Sequence, residues 1–347
     1  MLRLVADRHV AQIRTMTSNL PLIRLSAINP FLLELRRRGV DVKPLLADLN
    51  LPSEIPASDD LFVASTTIYE LVEKSAELAD DQFLGFAIGS QLDLAAWDPI
   101  ATATERATSV GELLTMFSVN AAEHSTATGF YLSTDGERST FGFNRVKKPP
   151  FCPGQNDAFY MGFMLQLLKQ ATHKHWDATQ VMFRVADPAC IPANGDAYRV
   201  AEGDRSGVQI TFPSQWLFER FKKSHFQAGV SEEMRDEIPQ SLVESVRSAL
   251  RPHLHKNDLT ADKAAKICGH DRRKLARRLR EEGTTLSKEI AQLRASKAQQ
   301  DLERSNQRIA EIGESVGFMD PTVFSRAFKN WTGQSPQEYR RTHRLPK

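Results

Sequence analysis

Arg272, Arg273, Ala276, Arg277 and Arg280 fall on one side of a predicted helix from Arg272 to Glu282, because Leu275 and Leu279, four residues apart, take the other. Guanidinium groups packed this densely suit paired contacts with phosphate oxygens and with the O6/N7 edge of guanine. The elements that must position them are just upstream. Gly269-His270-Asp271 separates the helix from a shorter one, Ala261 to Cys268. Asp271 supplies an N-cap, and Gly269 supplies the backbone angles of a tight interhelical turn. Two helices joined in this way make a helix-turn-helix.

The arrangement repeats, offset by 48 residues at the turn glycine. Ile309, Ile312 and Val316 form an apolar stripe, Gly317-Phe318-Met319 makes the turn, and Asp320-Pro321 opens the next helix as N-cap and first-turn proline. Phe324, Phe328 and Trp331 face inward, leaving Thr322, Ser325, Arg326 and Lys329 outward; Arg277 and Arg326 occupy matching places. Between the copies, Leu286 to Leu302 reads as one helix with Ile290, Leu293, Ala298 and Leu302 on its apolar face. Its seventeen residues give a rod of roughly 25 Å. Such a rod spaces two recognition helices about one DNA turn, about 34 Å, apart.

Composition agrees with this division of labour. The chain has 347 residues, 41% hydrophobic and 25% charged, enough for two or three domains of ordinary globular type. The net charge of +2 hides a segregation. Arg251 to Lys347 holds 21 Lys and Arg against 12 Asp and Glu, while the remainder holds 24 basic and 31 acidic residues. A basic end on an acidic body points to a polyanionic partner. No run approaches the roughly 18 to 20 apolar residues of a membrane span, and the first twenty residues carry Arg3, Asp7, Arg8, His9 and Arg14 without an apolar core. The expectation is a cytoplasmic protein with no membrane contact.

The first two hundred residues mix patterns. Asn29-Pro30 opens a helix closed by Gly39; Thr66 to Ala79 and Asp81 to Gln91 are amphipathic; Ser109-Val110-Gly111-Glu112 forms a capping box for a helix to about Ala121. Ala127 to Ser133 and Ser139 to Arg145 flank the turn pair Asp135-Gly136 as a hairpin, with Phe130 and Leu132 facing Phe141 and Phe143. A buried helix over Asp157 to His173 and strands over Gln180 to Val185 and Val208 to Phe212 follow, the strands separated by a loop rich in Pro, Gly and Asp. From Lys222 to about Ile238 the chain turns polar, and beyond it, from Ser241 to Leu250 onward, the pattern is helical. The fold class is therefore an α+β N-terminal domain (1–225), a linker (226–240) and an all-α tandem helix-turn-helix domain (241–347).

Other chemistry is poorly represented. No GxSxG, HExxH, GxxxxGK[ST] or GxGxxG occurs, so no enzyme and no cofactor is expected. His173-x-His175 and His253-x-His255 lack further ligands and point apart on a helix, so no metal is expected. Cys152, Cys190 and Cys268 read as small buried residues. Phe141, Phe143, Phe151, Phe159, Tyr160, Phe163 and Trp176 read as packing, and Arg145, Lys147 and Lys148 either meet an anionic effector or lie exposed at a strand end.

The stretch from Leu259 to Arg341 resembles the DNA-binding domain of the AraC/XylS family of bacterial transcription regulators. The resemblance is carried by Ile309-Ala310-Glu311-Ile312, Gly317-Phe318, Phe324-Ser325-Arg326-Ala327-Phe328-Lys329 and Gly333-Gln334-Ser335-Pro336-Gln337-Glu338-Tyr339-Arg340. In the looser first copy, Ala276 stands where a base-reading Gln is frequent. The resemblance implies double-stranded DNA as partner, with base-edge positions at Arg273, Ala276 and Arg277, then at Pro321, Thr322, Ser325 and Arg326. Arg272, Arg280, Lys329 and Asn330 are implied backbone contacts. The N-terminal part is similar to the arabinose-binding-like sensor domain of the ornithine-utilisation-regulator subgroup. That likeness implies a homodimeric activator that binds a small-molecule effector, at residues it does not identify, and contacts RNA polymerase. The alternative is a constitutive dimeric regulator without an effector.

Overall fold

The aromatic runs on either side of Asp135-Gly136 form a hairpin in the computed structural model, which describes residues 20–53, 61–94, 97–193, 197–220 and 239–344. Strands β1 (Thr128–Asp135) and β2 (Arg138–Arg145) pair antiparallel with Phe130 opposite Phe143 and Leu132 opposite Phe141, as alternation requires. Three more strands, β3 (Met182–Val185), β4 (Arg199–Glu202) and β5 (Gly207–Pro213), complete a sheet of order β1-β2-β5-β3-β4. All neighbours are antiparallel except β3 and β4. Strand β4 corrects the sequence expectation of a loop between the last two strands. Its four residues, Arg-Val-Ala-Glu, have no alternating apolar pattern and are extended through their pairing with β3.

Among the described residues, seven α-helices accompany the sheet: α1 (Asn29–Arg37), α2 (Lys43–Asp48), α3 (Ser65–Leu78), α4 (Leu84–Ser90), α5 (Asp98–Arg106), α6 (Val110–Ala121) and α7 (Gly154–Thr172). Ser109 caps helix α6 as its sequence predicts, its Oγ accepting from the Glu112 N–H at 3.3 Å, while the Glu112 carboxylate accepts from the Thr108 N–H at 2.7 Å, one residue before the N-cap. The buried side of α7 (Phe163, Met164, Leu167, Leu168) joins Phe141 of β2, Phe183 of β3 and Phe212 of β5 in one core. Helix α4 reaches α7 backbone to backbone. A Cβ on Gly85 would lie 2.1 Å from the Gln155 carbonyl oxygen, and one on Gly89 would lie 2.1 Å from that of Phe159. Glycine is thus required at both crossings by space, not by φ.

Arg145 is neither exposed nor available to an effector, which corrects that expectation. Its guanidinium is fully buried in an ion pair with Asp157, whose second oxygen accepts the Ala186 N–H at 2.9 Å. Lys148, by contrast, is exposed and paired with Asp204 at 2.6 Å. Cys152 is exposed rather than buried, while Cys190 and Cys268 are buried as expected. Burial pushes the Cys190 and Cys268 thiols up to about 12.

Glu73 on α3 accepts the Gln155 N–H at 2.8 Å at the start of α7, yet burial pushes its carboxyl up to about 7. The folded protein therefore holds this proton more tightly than the unfolded chain, so the stabilisation is complete below about pH 4.5 and is lost as pH rises toward 7. Glu73→Gln keeps an acceptor without a charge. Relative to wild type it should gain roughly 2–3 kcal/mol between pH 4.5 and 8, measured by urea unfolding at both ends. Parallel pH profiles for the two proteins would show that Glu73 does not titrate in this way.

The chain divides into two units. The second comprises Pro239–Lys347 with the short segments Asn50–Pro52 and Leu61–Ala64. Of the linker expected over 226–240, only Pro239 and Gln240 are among the described residues.

Candidate functional site

The second unit is built from α8 (Leu242–Leu250), α9 (Ala261–Ile267), α10 (Arg272–Glu281), α11 (Leu286–Arg304), α12 (Ile309–Ser315), α13 (Pro321–Thr332) and α14 (Pro336–His343), all helical as expected. Helices α9 and α10 form the first helix-turn-helix. Gly269 turns the chain at φ +65°, and Asp271 caps α10 by accepting the Lys274 N–H at 3.0 Å. Ala264, Ala265, Cys268, Leu275 and Leu279 close the small core between them. That packing turns Arg272, Arg273, Arg277 and Arg280 into solvent, with Ala276 half-buried among them.

Helices α12 and α13 form the second copy around Ala298, Leu302, Ile312, Val316, Phe324, Phe328 and Tyr339. Gly317 sits at φ +83°, and a Cβ there would lie 2.7 Å from the Lys256 carbonyl oxygen. The same carbonyl accepts from Arg294 Nη2 at 2.7 Å, and the Arg294 guanidinium stacks over the Phe318 ring at 5.4 Å. Position 317 thus demands glycine twice, by conformation and by space. Asp320 caps α13, its carboxylate accepting the Thr322 N–H at 2.6 Å and the Val323 N–H at 3.4 Å; these bonds hold its pKa below the usual range. Pro321, Thr322, Arg326, Lys329 and Asn330 are exposed, and Ser325 is half-buried.

Every residue singled out from sequence therefore lies on α10 or α13, away from the buried cores, but three differ in detail from a uniformly open cationic face. Arg272 is held by Asp262 of α9 through Nη1 at 2.8 and 2.9 Å. Arg277 lies 3.9 Å from Glu281. Ser325 Oγ donates to the Pro321 carbonyl at 2.8 Å, so its hydroxyl proton is used within its own helix. Sequence reasoning passed over Met319 and Val323, which are 74% and 49% exposed beside the start of α13. A large apolar side chain in water next to a capped helix start was the signal. It also passed over the buried Glu289, which accepts from Thr284 and from Arg247 Nε at 2.6 Å, fixing α11 against α8.

Among the described residues no group of three or more His, Cys, Asp and Glu has an arrangement that would hold a metal. Burial pushes His253 down to about 4, so it is neutral inside the second unit. Among the described helices, none is long and apolar enough to cross a membrane.

Two matching helix-turn-helix copies, each with its second helix exposed, define a DNA-binding protein. The family model for the arabinose-binding domain of AraC transcription regulators matches residues 39–216, just over half of the chain, and a helix-turn-helix model matches residues 264–342. The chain belongs to the AraC-type transcription regulators, which are sequence-specific DNA-binding proteins rather than enzymes. Among curated relatives, the transcriptional activator NphR of Rhodococcus is 32% identical over 98 residues, 28% of this chain and 29% of NphR. The Msm operon regulatory protein of Streptococcus mutans is 48% identical over 52 residues, 15% of this chain and 19% of that protein. The chain thus spans less than a third of the length of the curated relatives it matches. Among solved structures, the transcriptional regulator CdpR of Pseudomonas aeruginosa aligns over 90% of this chain and 97% of its own, at 18% identity and a TM-score of 0.39.

Proposed function

We propose that this regulator is a homodimer whose two recognition helices, α10 and α13, enter successive major grooves, and whose N-terminal unit binds a small-molecule effector that alters promoter occupancy or RNA polymerase contact as an activator. The observation that carries the DNA geometry is the pair of exposed helices joined through α11. Its nineteen residues make a rod of about 28 Å, comparable with one DNA turn. Arg273, Ala276 and Arg277, then Pro321, Thr322, Ser325 and Arg326, take the base-edge positions. Arg272, Arg280, Lys329 and Asn330 take the phosphates. Met319 and Val323 add apolar surface suited to thymine methyl groups. The domain division at 1–225, 226–240 and 241–347 goes with this reading. The effector half is supported by a cavity of about 870 Å³ within the first unit, inside the range of ligand sites.

Two substitutions on α13 separate reading from holding. Arg326→Ala should cost about 1–3 kcal/mol on the preferred site and relax discrimination at one base pair. Lys329→Ala should weaken all sequences alike and lower the salt slope by about one unit. Both are read by titrating full-length protein into matched and mismatched duplexes at several salt concentrations. Unchanged discrimination in the first and an unchanged slope in the second would remove α13 from the groove.

A further inference from the structure

We propose, resting on the docking of α13 in a major groove put forward above, that the operator box under α13 is read through thymine methyl groups by Met319 and Val323, whereas the box under α10 is read through guanine. The two recognition helices open differently. After equivalent Asp caps, α10 begins Arg272-Arg273-Lys274 and α13 begins Pro321-Thr322-Val323, three cations against none. The N-terminal residues of a recognition helix are the ones that meet base edges. The chemistry of these openings therefore decides what each helix can recognise.

At the start of α13 most side-chain hydrogen-bonding capacity is already taken. Asp320 accepts the Thr322 and Val323 N–H groups, Ser325 Oγ donates to the Pro321 carbonyl, and Pro321 has no polar side chain. The Thr322 hydroxyl is what remains ahead of Arg326. Apolar surface stands in its place. Among the described residues of the second unit, Met319 and Val323 are the only large hydrophobic side chains that are exposed. Such residues scattered singly need no explanation, but these two flank the capped start of one helix. The inward places beside them are filled by Phe318 and Phe324, whose rings lie 5.8 Å apart. In the major groove, the feature that apolar side chains contact is the C5 methyl of thymine. Covering one methyl is worth about fourfold in affinity. The unbranched thioether of Met319 adapts to such a contact.

The test uses the full-length protein and the duplex most enriched from a random pool. Arg326→Ala marks the box under α13 as the one whose discrimination relaxes, and Arg277→Ala marks the box under α10. Uracil then replaces thymine in one box at a time, which keeps the pairing with adenine and removes only the methyl group. The expected result is a loss of about fourfold for each contacted thymine, confined to the α13 box. At the same positions, 5-methylcytosine should bind about fourfold better than cytosine. The double substitution Met319→Ala with Val323→Ala should bring the ratio of thymine to uracil affinity close to one and leave the melting temperature unchanged, since both side chains are exposed. An α13 box without thymine, equal affinity for thymine and uracil, an equal loss in both boxes, or a uracil effect that persists in the double variant would overturn the assignment while leaving α13 in the groove. If Arg326→Ala relaxes neither box, the docking of α13 falls and the assignment falls with it.

Discussion

Phe324→Ala should destabilise the second unit by about 3–5 kcal/mol and abolish discrimination between operator and random DNA. Phe324 is fully buried, with its ring 5.8 Å from both Phe318 and Phe328, and it lies directly against Gly313 of α12. It therefore packs both helices of the second copy. The cavity left by its ring cannot collapse without moving α13, because Gly317 allows the turn no shift toward Lys256 or Leu254. The first copy has its own core of Leu275 and Leu279, so weak, salt-sensitive, sequence-indifferent binding should persist. Denaturant unfolding paired with binding at two salt concentrations checks this. A variant losing less than about 1 kcal/mol with full discrimination would mean that the second core does not hold α13 in place.

Arg145→Ala should cost the first unit about 3–5 kcal/mol, because it leaves the Asp157 carboxylate buried without a countercharge, held only by neutral donors such as the Ala186 N–H and the Asn156 side chain. The Arg145 guanidinium also lies 5.1 Å from the ring centres of both Tyr69 and Phe143, so packing is lost with the charge. The double substitution Arg145→Met with Asp157→Leu removes both charges and preserves most of the volume. It should recover most of the lost stability, because the desolvation of the two ions disappears together with their attraction. If the double variant is no more stable than Arg145→Ala, packing rather than charge burial dominates at this position.

The legibility of these features in sequence followed the range of the physics behind them. The hairpin register was readable because alternation is local: Phe130 and Leu132 can meet Phe143 and Phe141 only one way around Asp135-Gly136. The two interhelical turns were readable because Gly269 and Gly317, each followed within three residues by a capping Asp, mark them with local conformational needs. Strand β4 was hidden because its extension depends on a partner seventeen residues earlier in the chain. The burial of Arg145 was equally hidden. A cation at a strand end looks solvated until Asp157, twelve residues on and in another element, is brought against it. The cavity needed α1, α3, α4, α6, α7 and the hairpin together, and no periodicity reveals a space between elements. On the DNA-binding helices the outward positions came from 3.6-residue spacing, but Arg272's engagement by Asp262 and Ser325's bond to Pro321 depend on side-chain geometry that spacing does not encode.

The most direct test of the central claim is selection of full-length protein on a pool of random duplexes at two salt concentrations, with sequencing of the retained DNA. Two recognition helices joined through α11 predict an enriched motif of two short boxes about 10–10.5 base pairs apart, centre to centre, sharpening as salt removes nonspecific binding. Retention without a motif, or a motif with a single box, would contradict the account.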